Sequence, residues 1–249
     1  QLWKRIGQTL NVWICAVCLY LAMLQYRDQL GRIITLGAQP RRIVSLVPSQ
    51  SELLWDLGIR EELVGITKFC IHPPEMKKRV PQVGGTKKLN LSKIVSLGPD
   101  LIIGNREENE QEQIEALQKK YPVWMSDVTT LDDAMNMISD VGQICGRETE
   151  ANALRQDIAR VLEEVRGIFQ NKRVAYFIWK DPYMLAGNDT FIHSMLDHLG
   201  LENVAASLTR YPELSIVQVR SLEPEACLLS SEPYPFSEKH KADIERELP

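Results

Sequence analysis

Cysteine and histidine are the residues of this chain best suited to metal or redox chemistry. The number of cysteines is odd, and Cys70, Cys145 and Cys227 are widely separated, so we expect buried or free thiols rather than a disulfide framework. Cys15 and Cys18 form a C-x-x-C pair. Because that pair lies in an apolar run with no second pair and no histidine nearby, the pattern argues against a zinc or redox site.

The histidines do not form a recognisable set of metal ligands. His193 and His198 fall on one predicted helix without the i, i+4 spacing that would place both on one metal ion. We therefore predict no direct capture of zinc or manganese, and we expect surface or capping roles for all four histidines, which are His72, His193, His198 and His240.

Sequence motifs for catalysis and for nucleotide binding do not occur in the chain. The absent patterns are G-x-G-x-x-G after Val47, G-x-x-x-x-G-K-[ST], G-x-S-x-G and H-E-x-x-H. The run Gly84-Gly85-Thr86-Lys87 resembles a phosphate loop only loosely. Asp127, Glu107 and Glu232 are candidate acid-base groups, but isolated carboxylates on loops are mostly solvated. We predict no catalytic residue, no resident metal and no cofactor.

Composition and charge are those of a soluble globular protein. The chain has 249 residues, of which 44% are hydrophobic and 25% charged, and its net charge is −4. The length suffices for two lobes of roughly 100 residues each. Because the net charge is negative, composition argues against a nucleic-acid partner.

One segment of the sequence occurs twice in similar form. Residues 89 to 103, LNLSKIVSLGPDLII, align without a gap on residues 214 to 228, LSIVQVRSLEPEACL. The pairing places Leu89 on Leu214, Leu91 on Ile216, Ile94 on Val219, Ser96 on Ser221, Leu97 on Leu222, Pro99 on Pro224 and Asp100 on Glu225. Two copies of one α/β unit predict two similar lobes, and a cleft between lobes is a usual small-molecule site.

Predicted strands alternate with predicted helices along the chain. After a short hairpin around Gly31, the apolar runs predict the strands RRIVSLV, ELVGIT, LIIG, PVWMSD, RVAYFIWK and ACLLSSE. The β-α-β order predicts parallel sheets. Ser49 or Ser51 is expected to cap the first helix, and Asn90 and Ser215 are expected to cap the helices of the repeated segment.

These elements predict an α/β fold of two Rossmann-like lobes, each a parallel sheet flanked by helices, joined by one long linker helix. We expect the N-terminal lobe over residues 26–146, the linker helix over residues 147–170 and the C-terminal lobe over residues 171–249. At 1.5 Å per residue, the linker helix would be roughly 35 Å long. The first lobe continues through PVWMSD and a further helix, so the repeat predicts that the second lobe is incomplete at Pro249.

Residues 1–25 contain a short apolar run preceded by Lys4 and Arg5. This is the shape of a secretory signal or a short membrane anchor, although no clean cleavage site or lipobox accompanies it. A spurious upstream extension, with Met23 as the true start, is the open alternative. The first interpretation predicts a periplasmic or membrane-anchored protein, and the second a cytoplasmic one.

Four stretches of the sequence resemble the helical-backbone metal-chelate receptors, the substrate-binding proteins of ABC importers for cobalamin, ferric siderophores and haem. They are RRIVSLVPSQSELLWDLG, VGITKFCIHPPE, PQVGGTKKLNLSKIVSLGPDLII and RYPELSIVQVRSLEP. The resemblance covers residues 26 to 249. It implies a monomer that holds one metal chelate between two lobes and delivers it to a membrane permease.

The resemblance also implies which loops contact the ligand. Transferred to this chain, the implied contacts are Ser49, Gln50, Lys68, Phe69, Gly85, Thr86, Lys87, Trp179, Tyr183, Tyr211, Glu232 and Tyr234. Aromatic faces suit a flat corrin, porphyrin or catechol, and Lys68 or Lys87 could meet anionic groups of the ligand. Phe69, Trp179 and Tyr183 could instead pack the ends of the lobes.

One departure from the family pattern concerns the permease. Members often carry a glutamate on the capped helix of each lobe, whereas this chain has Ser92 and Val217 at those positions. Two other functions remain open: a chelatase-like enzyme on the same paired-lobe fold, and an intracellular corrinoid- or tetrapyrrole-binding protein.

Overall fold

The computed structural model describes residues 23 to 248. The predictions for the N-terminal apolar run, including Cys15 and Cys18, therefore lie outside the described residues. Within residues 23 to 248, no helix combines the length and the apolar character needed to cross a membrane. The chain divides into two compact units: unit 1 comprises the residues through Asp127 together with Asn136–Ala153, and unit 2 comprises Val128–Met135 together with the residues from Leu154 onward.

Among residues 23 to 248, unit 1 contains a hairpin, a four-stranded sheet and four helices, and it shares two more helices with unit 2. In chain order the elements are β1 (Leu24–Arg27), β2 (Ile33–Leu36), β3 (Ile43–Ser45), α1 (Pro48–Asp56), β4 (Leu63–Gly65), α2 (Pro74–Arg79), α3 (Leu91–Leu97), β5 (Leu101–Asn105), α4 (Gln111–Gln118) and β6 (Val123–Ser126). The shared helices are α5 (Leu131–Cys145) and α6 (Glu148–Val165).

The sheet of unit 1 has the strand order β4-β3-β5-β6, and every neighbouring pair is parallel. All residues of β3 and β6 are buried. Continuous burial is typical of parallel strands that are covered on both faces, which explains the uninterrupted apolar runs in the sequence. The predicted hairpin is confirmed as the antiparallel pair β1-β2.

The start of α1 differs from the prediction. Neither Ser49 nor Ser51 is the N-cap residue, because the helix begins at Pro48 and Val47 is the N-cap. Proline suits the first helical position, since its missing N–H would have no helical partner there. The hydroxyl of Ser51 instead donates to the Val47 carbonyl at 2.9 Å.

Unit 2 contains a second small sheet with helices around it. Its own elements are β7 (Lys172–Trp179), β8 (Met184–Leu185), α7 (Phe191–His198), β9 (Leu201–Asn203), α8 (Ile216–Ser221), β10 (Ala226–Leu229) and α9 (Glu238–Glu247). Strand β10 pairs with β7 in parallel, as predicted. Strand β9 also pairs with β7 in parallel and was not predicted. Strand β8 pairs with β7 antiparallel and was not predicted; the short turn after Trp179 reverses the chain and leaves no room for a crossover.

Helix α6 is shorter than the predicted linker. It ends at Val165, so its length is about 27 Å at 1.5 Å per residue. Beyond it, three backbone N–H groups donate to the carbonyls that end α7: Gly167 to His198 at 2.9 Å, Phe169 to Leu199 at 3.1 Å and Asn171 to Gly200 at 2.6 Å. These hydrogen bonds take the place of those that the same N–H groups would make within a longer α6. Two apolar residues of the range predicted for the linker, Val161 and Ile168, are 53% and 51% exposed.

Candidate ligand-binding surfaces

Five of the predicted site residues in unit 1 line one cavity of about 750 Å³. Lys68 and Phe69 follow the carboxyl end of β4, and Gly85, Thr86 and Lys87 belong to the loop before α3. A cavity of this size lies in the range of small-molecule sites. We call it the unit 1 surface. Gly84, the first residue of the same predicted loop, also lines it, and the rest of the lining, residues 88 to 92, was not predicted.

Hydrogen bonds to the backbone fix the loop of the unit 1 surface. The Gln113 side chain on α4 accepts from the Leu89 N–H at 2.8 Å and donates to the Lys87 carbonyl at 2.8 Å. The Asn109 amide donates to the Thr86 carbonyl at 3.1 Å. The loop is therefore tied to α4 on one side, which leaves its other side to form the cavity wall.

The aromatic ring of Phe69 lies on the backbone of Gly85. A Cβ atom at Gly85 would stand 3.1 Å from the ring, so glycine allows this close approach. Phe69 is 51% exposed, and the Lys68 ammonium lies 4.9 Å from the ring centroid. Lys87 donates to the Glu107 carbonyl at 2.7 Å and lies 3.6 Å from the Glu110 carboxylate. The surface therefore combines an accessible aromatic face with lysine side chains, since Lys68, Lys87 and Lys88 all line the cavity.

Ser49 and Gln50 were also predicted for the site, but neither of them lines this cavity. Ser49 is exposed in the first turn of α1, whereas Gln50 is only 1% exposed. The Gln50 amide nitrogen donates to the Ser126 hydroxyl at 2.5 Å and to the Gly104 carbonyl at 3.2 Å. Gln50 thus ties α1 to β5 and β6, and the structure gives its side chain a supporting position rather than an exposed one.

Aromatic residues cluster where β7 and β10 end in unit 2. The ring of Trp179, which is 38% exposed, lies 5.3 Å from that of Tyr234. Tyr234 in turn lies 4.7 Å from Phe236, and Tyr183 lies 5.5 Å from Phe177. All of these pairs have the edge-to-face geometry that aromatic quadrupoles favour. We call this cluster the unit 2 surface.

His240 orients the hydroxyl of Tyr234. The Ser237 N–H donates to His240 Nδ1 at 3.1 Å, so Nδ1 must carry a lone pair. In the neutral imidazole the hydrogen is then on Nε2, which lies 3.2 Å from the Tyr234 oxygen and donates to it. The Tyr234 hydroxyl keeps its own hydrogen for another acceptor. The capping role expected for His240 is confirmed, because it lies three residues after Ser237 in a capping box, whereas its contact with Tyr234 was not predicted.

The other two residues predicted for unit 2 lie outside this aromatic cluster. Tyr211 is half-buried, with the Arg210 guanidinium 5.4 Å from its ring centroid, and Glu232 is exposed on the loop after β10. Burial raises the pKa of the Tyr183 phenol above its ordinary value, so Tyr183 is a neutral hydroxyl at physiological pH.

Histidine and cysteine side chains hold local structural positions. His198 Nε2 lies 2.7 Å from the Leu162 carbonyl, and His193 Nδ1 lies 3.3 Å from the Asn203 amide. Cys70, Cys145 and Cys227 are free thiols, as predicted, and burial raises the pKa of Cys145 to about 12. Within residues 23 to 248, no cluster of three or more His, Cys, Asp or Glu side chains could hold a metal ion.

Ser92 and Val217 occupy matching exposed positions on the two helices of the repeat. The Ser92 hydroxyl donates to the Asn90 side chain at 2.8 Å in the first turn of α3. Val217 is 66% exposed in the first turn of α8. Neither side chain is charged, so both positions lack the glutamate that the resemblance led us to expect.

Comparison with known proteins places this arrangement in a family. The family model described as "Periplasmic binding protein" matches residues 43 to 246. The chain belongs to the periplasmic binding protein family. The matched range contains β3 through most of α9, and with them both candidate surfaces. The resemblance inferred from the sequence motifs is therefore confirmed.

Individual relatives are similar at moderate identity. An uncharacterised ABC transporter substrate-binding lipoprotein of Bacillus subtilis is 28% identical over 212 residues, which cover 80% of this chain and 66% of that protein. A vitamin B12-binding protein of Pectobacterium carotovorum is 29% identical over 203 residues, 79% of this chain and 73% of the relative.

A solved structure agrees in fold. The crystal structure of a periplasmic haem-binding protein from Pseudomonas aeruginosa superposes with a TM-score of 0.73, at 23% identity, over 84% of this chain and 79% of that one. At this identity the likeness concerns the fold alone. It supports the predicted architecture of two α/β lobes with parallel sheets flanked by helices.

Proposed function

We propose that this protein is the substrate-binding component of an ABC importer and that its ligand is a metal chelate: a corrinoid, a haem or a ferric siderophore. Membership of the periplasmic binding protein family supports the binding role. The names of the relatives support the ligand class, since one is a vitamin B12-binding protein and another is an ABC transporter substrate-binding lipoprotein. The chelatase-like enzyme and the intracellular binding protein are not favoured by these relatives.

The unit 1 surface is the observation that carries the proposal. A half-exposed phenylalanine ring in a soluble protein is an available stacking face, and Phe69 is held in place by its contact with Gly85. Flat conjugated ligands stack on such a face for about 1 kcal/mol beyond the area they bury. The neighbouring ammonium groups of Lys68 and Lys87 suit carboxylate or phosphate groups on the periphery of a chelate.

The unit 2 surface supports the same ligand class with different chemistry. Trp179 offers a second accessible aromatic face. Tyr234 offers a hydroxyl whose hydrogen is directed away from His240, which suits a carbonyl or carboxylate oxygen of the ligand. We propose that both surfaces contribute to binding, together with Ser49, Thr86, Tyr183, Tyr211 and Glu232 as weaker contacts. Gln50 acts only by tying α1 to β5 and β6.

We further infer that the protein acts outside the cytoplasmic membrane as a monomer and delivers its ligand to a permease. Relatives named as a lipoprotein and as a periplasmic protein support the location. Sedimentation velocity at micromolar concentration tests the oligomeric state. Because Val217 is uncharged, Val217→Ala should leave delivery to the permease unchanged in a transport assay.

Ligand titration is the direct test. Hemin, cyanocobalamin and a ferric hydroxamate are added separately to the 249-residue chain, and binding is followed by absorbance and by tryptophan fluorescence. One of the three should bind with a dissociation constant of tens of micromolar or lower. If none binds in that range, the proposed function is wrong.

Matched variants then locate the binding surface. Phe69→Ala and Trp179→Ala should each weaken binding about 5- to 30-fold, the equivalent of roughly 1–2 kcal/mol. Phe169→Ala is the control, because Phe169 is 47% exposed but precedes β7, at the end opposite Trp179. Equal affinity for wild type and Trp179→Ala would assign Trp179 to packing.

A further inference from the structure

The cavity of the unit 1 surface is lined by lysines and by no acidic residue. Lys68, Lys87 and Lys88 belong to its lining, and none of the other lining residues is an aspartate or a glutamate. The whole chain, in contrast, carries a net charge of −4. A cleft lined by charges of one sign concentrates ligands of the opposite sign, so this local excess of positive charge favours an anionic ligand.

Two backbone segments bring the three lysines to one cavity. The Gly85 N–H donates to the Lys88 carbonyl at 2.9 Å, which closes a tight turn that contains Lys87. The Lys68 N–H donates to the Gly84 carbonyl at 2.8 Å, so the segment after β4 lies beside this turn. The Lys68 side chain reaches the turn as well, since its Cε would lie 3.4 Å from a Cβ atom at Gly85. The positions from which the three side chains extend are therefore fixed.

Neighbouring side chains balance only part of the positive charge. Lys87 lies 3.6 Å from the Glu110 carboxylate, so these two charges offset each other. Lys68 and Lys88 are exposed, and neither forms an ion pair with a carboxylate among residues 23 to 248. Three lysines less one paired carboxylate leave two uncompensated ammonium groups at the cavity.

The uncompensated charge lies beside the stacking face of Phe69. The Lys68 ammonium is 4.9 Å from the centroid of this ring, and the ring and both lysines line the same cavity. A flat ligand stacked on Phe69 would displace water from the ammonium groups, and this costs free energy unless the ligand supplies acceptors in return. Anionic oxygens on the edge of the ligand are the strongest such acceptors, because they form charge-assisted hydrogen bonds.

We propose that the unit 1 surface selects its chelate by charge: it binds a chelate that carries at least two anionic groups and disfavours a neutral one. This inference rests on the proposed function and narrows it. Iron porphyrins with two carboxylates and ferric catecholates have the required charge. Cyanocobalamin and ferric hydroxamates without charged side groups do not.

Titration of four chelates tests the selection and separates it from the proposed function. Hemin and a ferric tris-catecholate are the two sources of anionic groups, and cyanocobalamin and an uncharged ferric trihydroxamate are their neutral counterparts. At low salt, at least one anionic chelate should bind about tenfold or more tightly than both neutral ones, and added salt should reduce this preference. If a neutral chelate binds as tightly as the anionic ones, charge selection is wrong and the proposed function stands. If none of the four binds, both are wrong.

Variants that remove one charge each locate the selection at the cavity. Lys68→Gln and Lys88→Gln should each weaken binding of the anionic chelate about 3- to 10-fold at low salt and make its affinity less dependent on salt. Phe69→Ala should instead lower the affinity and leave the salt dependence unchanged. Unchanged affinity and salt dependence in both lysine variants would overturn the proposal.

Lys120→Gln is the matched control for the lysine variants. It removes the same charge from an exposed lysine that precedes β6 and does not line the cavity. Affinity for the anionic chelate should stay within about twofold of that of the wild type, because salt screens charges outside the site. A loss equal to that of Lys68→Gln and Lys88→Gln would assign the effect to the net charge of the chain, and this result would also overturn the proposal.

Discussion

Units 1 and 2 build the same helix, turn and strand from different residues. Asn90 and Ser215 are the N-cap residues of α3 and α8, and each side chain accepts from the backbone N–H three residues later. Ile94 and Val219 are the equivalent core residues, and both are fully buried. The caps and the core position of the repeat are therefore retained where the side chains differ.

The turn after each helix is held by an arginine from the neighbouring strand. Arg42 donates through its guanidinium to the carbonyls of Leu97 and Gly98, and Arg173 does the same to Leu222 and Glu223. Cations at helix C-termini satisfy carbonyls that have no helical partner. The repetition shows that this segment is a structural frame, whereas candidate ligand residues such as Phe69, Lys87 and Trp179 lie outside the repeated segment.

Truncation of the two equivalent core side chains, Ile94 and Val219, should have the largest effect on the stability of the two units. Ile94→Ala should lower the free energy of unfolding by about 3–4 kcal/mol, and Val219→Ala by about 2 kcal/mol because fewer methyl groups are lost. Urea denaturation, followed by amide hydrogen exchange in each unit separately, measures both changes in the free energy of unfolding. Val95→Ala and Val217→Ala are the controls on the same helices, since these valines are 41% and 66% exposed. Equal losses for buried and exposed valines would contradict the equivalence.

Much of the frame could be predicted because its signals are local. The N-caps Asn90 and Ser215, the hairpin and the order of strands follow from short patterns of polar and apolar residues. The hydrogen bond from the Arg42 guanidinium to the Leu97 carbonyl was not predicted, because it joins residues far apart in the sequence.

The candidate site was harder to predict for the same reason. Phe69 and Lys87 were correctly placed on loops, and the structure brings them to one cavity. The burial of Gln50 depends on β5 and β6, which no local pattern connects to α1. The contact of His240 with Tyr234 was not predicted, because only the capping role of His240 has a local sequence pattern.

The carboxylates that start β5 and β10 distinguish the two copies. Asp100 accepts from the N–H groups of both Arg41 and Arg42, at 2.8 and 2.9 Å, whereas the Glu225 carboxylate accepts from the Arg173 N–H at 2.7 Å. At roughly 1.5 kcal/mol for each bond to a charged acceptor, Asp100→Ala should cost about 3 kcal/mol and Glu225→Ala about 1.5 kcal/mol. Denaturant midpoints test this ratio. The loss of stability for Asp100→Asn should fall between the losses for Asp100→Ala and Glu225→Ala. Equal losses would show that the second bond of Asp100 adds nothing.

The turn residue also differs between the copies and should give a smaller effect. Gly98 and Glu223 both adopt a left-handed conformation, with φ of 54° and 51°. Gly98→Ala should destabilise unit 1 by about 1 kcal/mol through backbone strain alone, because no atom lies within 4 Å of the added Cβ. Glu223→Gly should stabilise unit 2 by roughly 0.5–1 kcal/mol. Glu223→Ala is the control, because it removes the carboxylate and keeps the strain. If Glu223→Ala stabilises as much as Glu223→Gly, the carboxylate is the cause.

Lowering the pH should produce the smallest of the expected differences in stability between the two units. In unit 2 the hydrogen bond from Lys180, at 3.3 Å, lowers the pKa of the Asp243 carboxyl below its ordinary value. In unit 1 the hydrogen bond to Asp127 raises the pKa of Arg106, which therefore stays charged at every working pH. A carboxyl with a lowered folded-state pKa contributes stability above its unfolded value of about 4, and that contribution is lost as pH falls through the folded-state pKa. Asp243→Asn should therefore lower the urea midpoint of unit 2 at pH 7, and the variant and wild type should converge below pH 4, with unit 1 unaffected. A difference that persists unchanged in strong acid would show that the Asp243 carboxylate does not stabilise unit 2 through its charge.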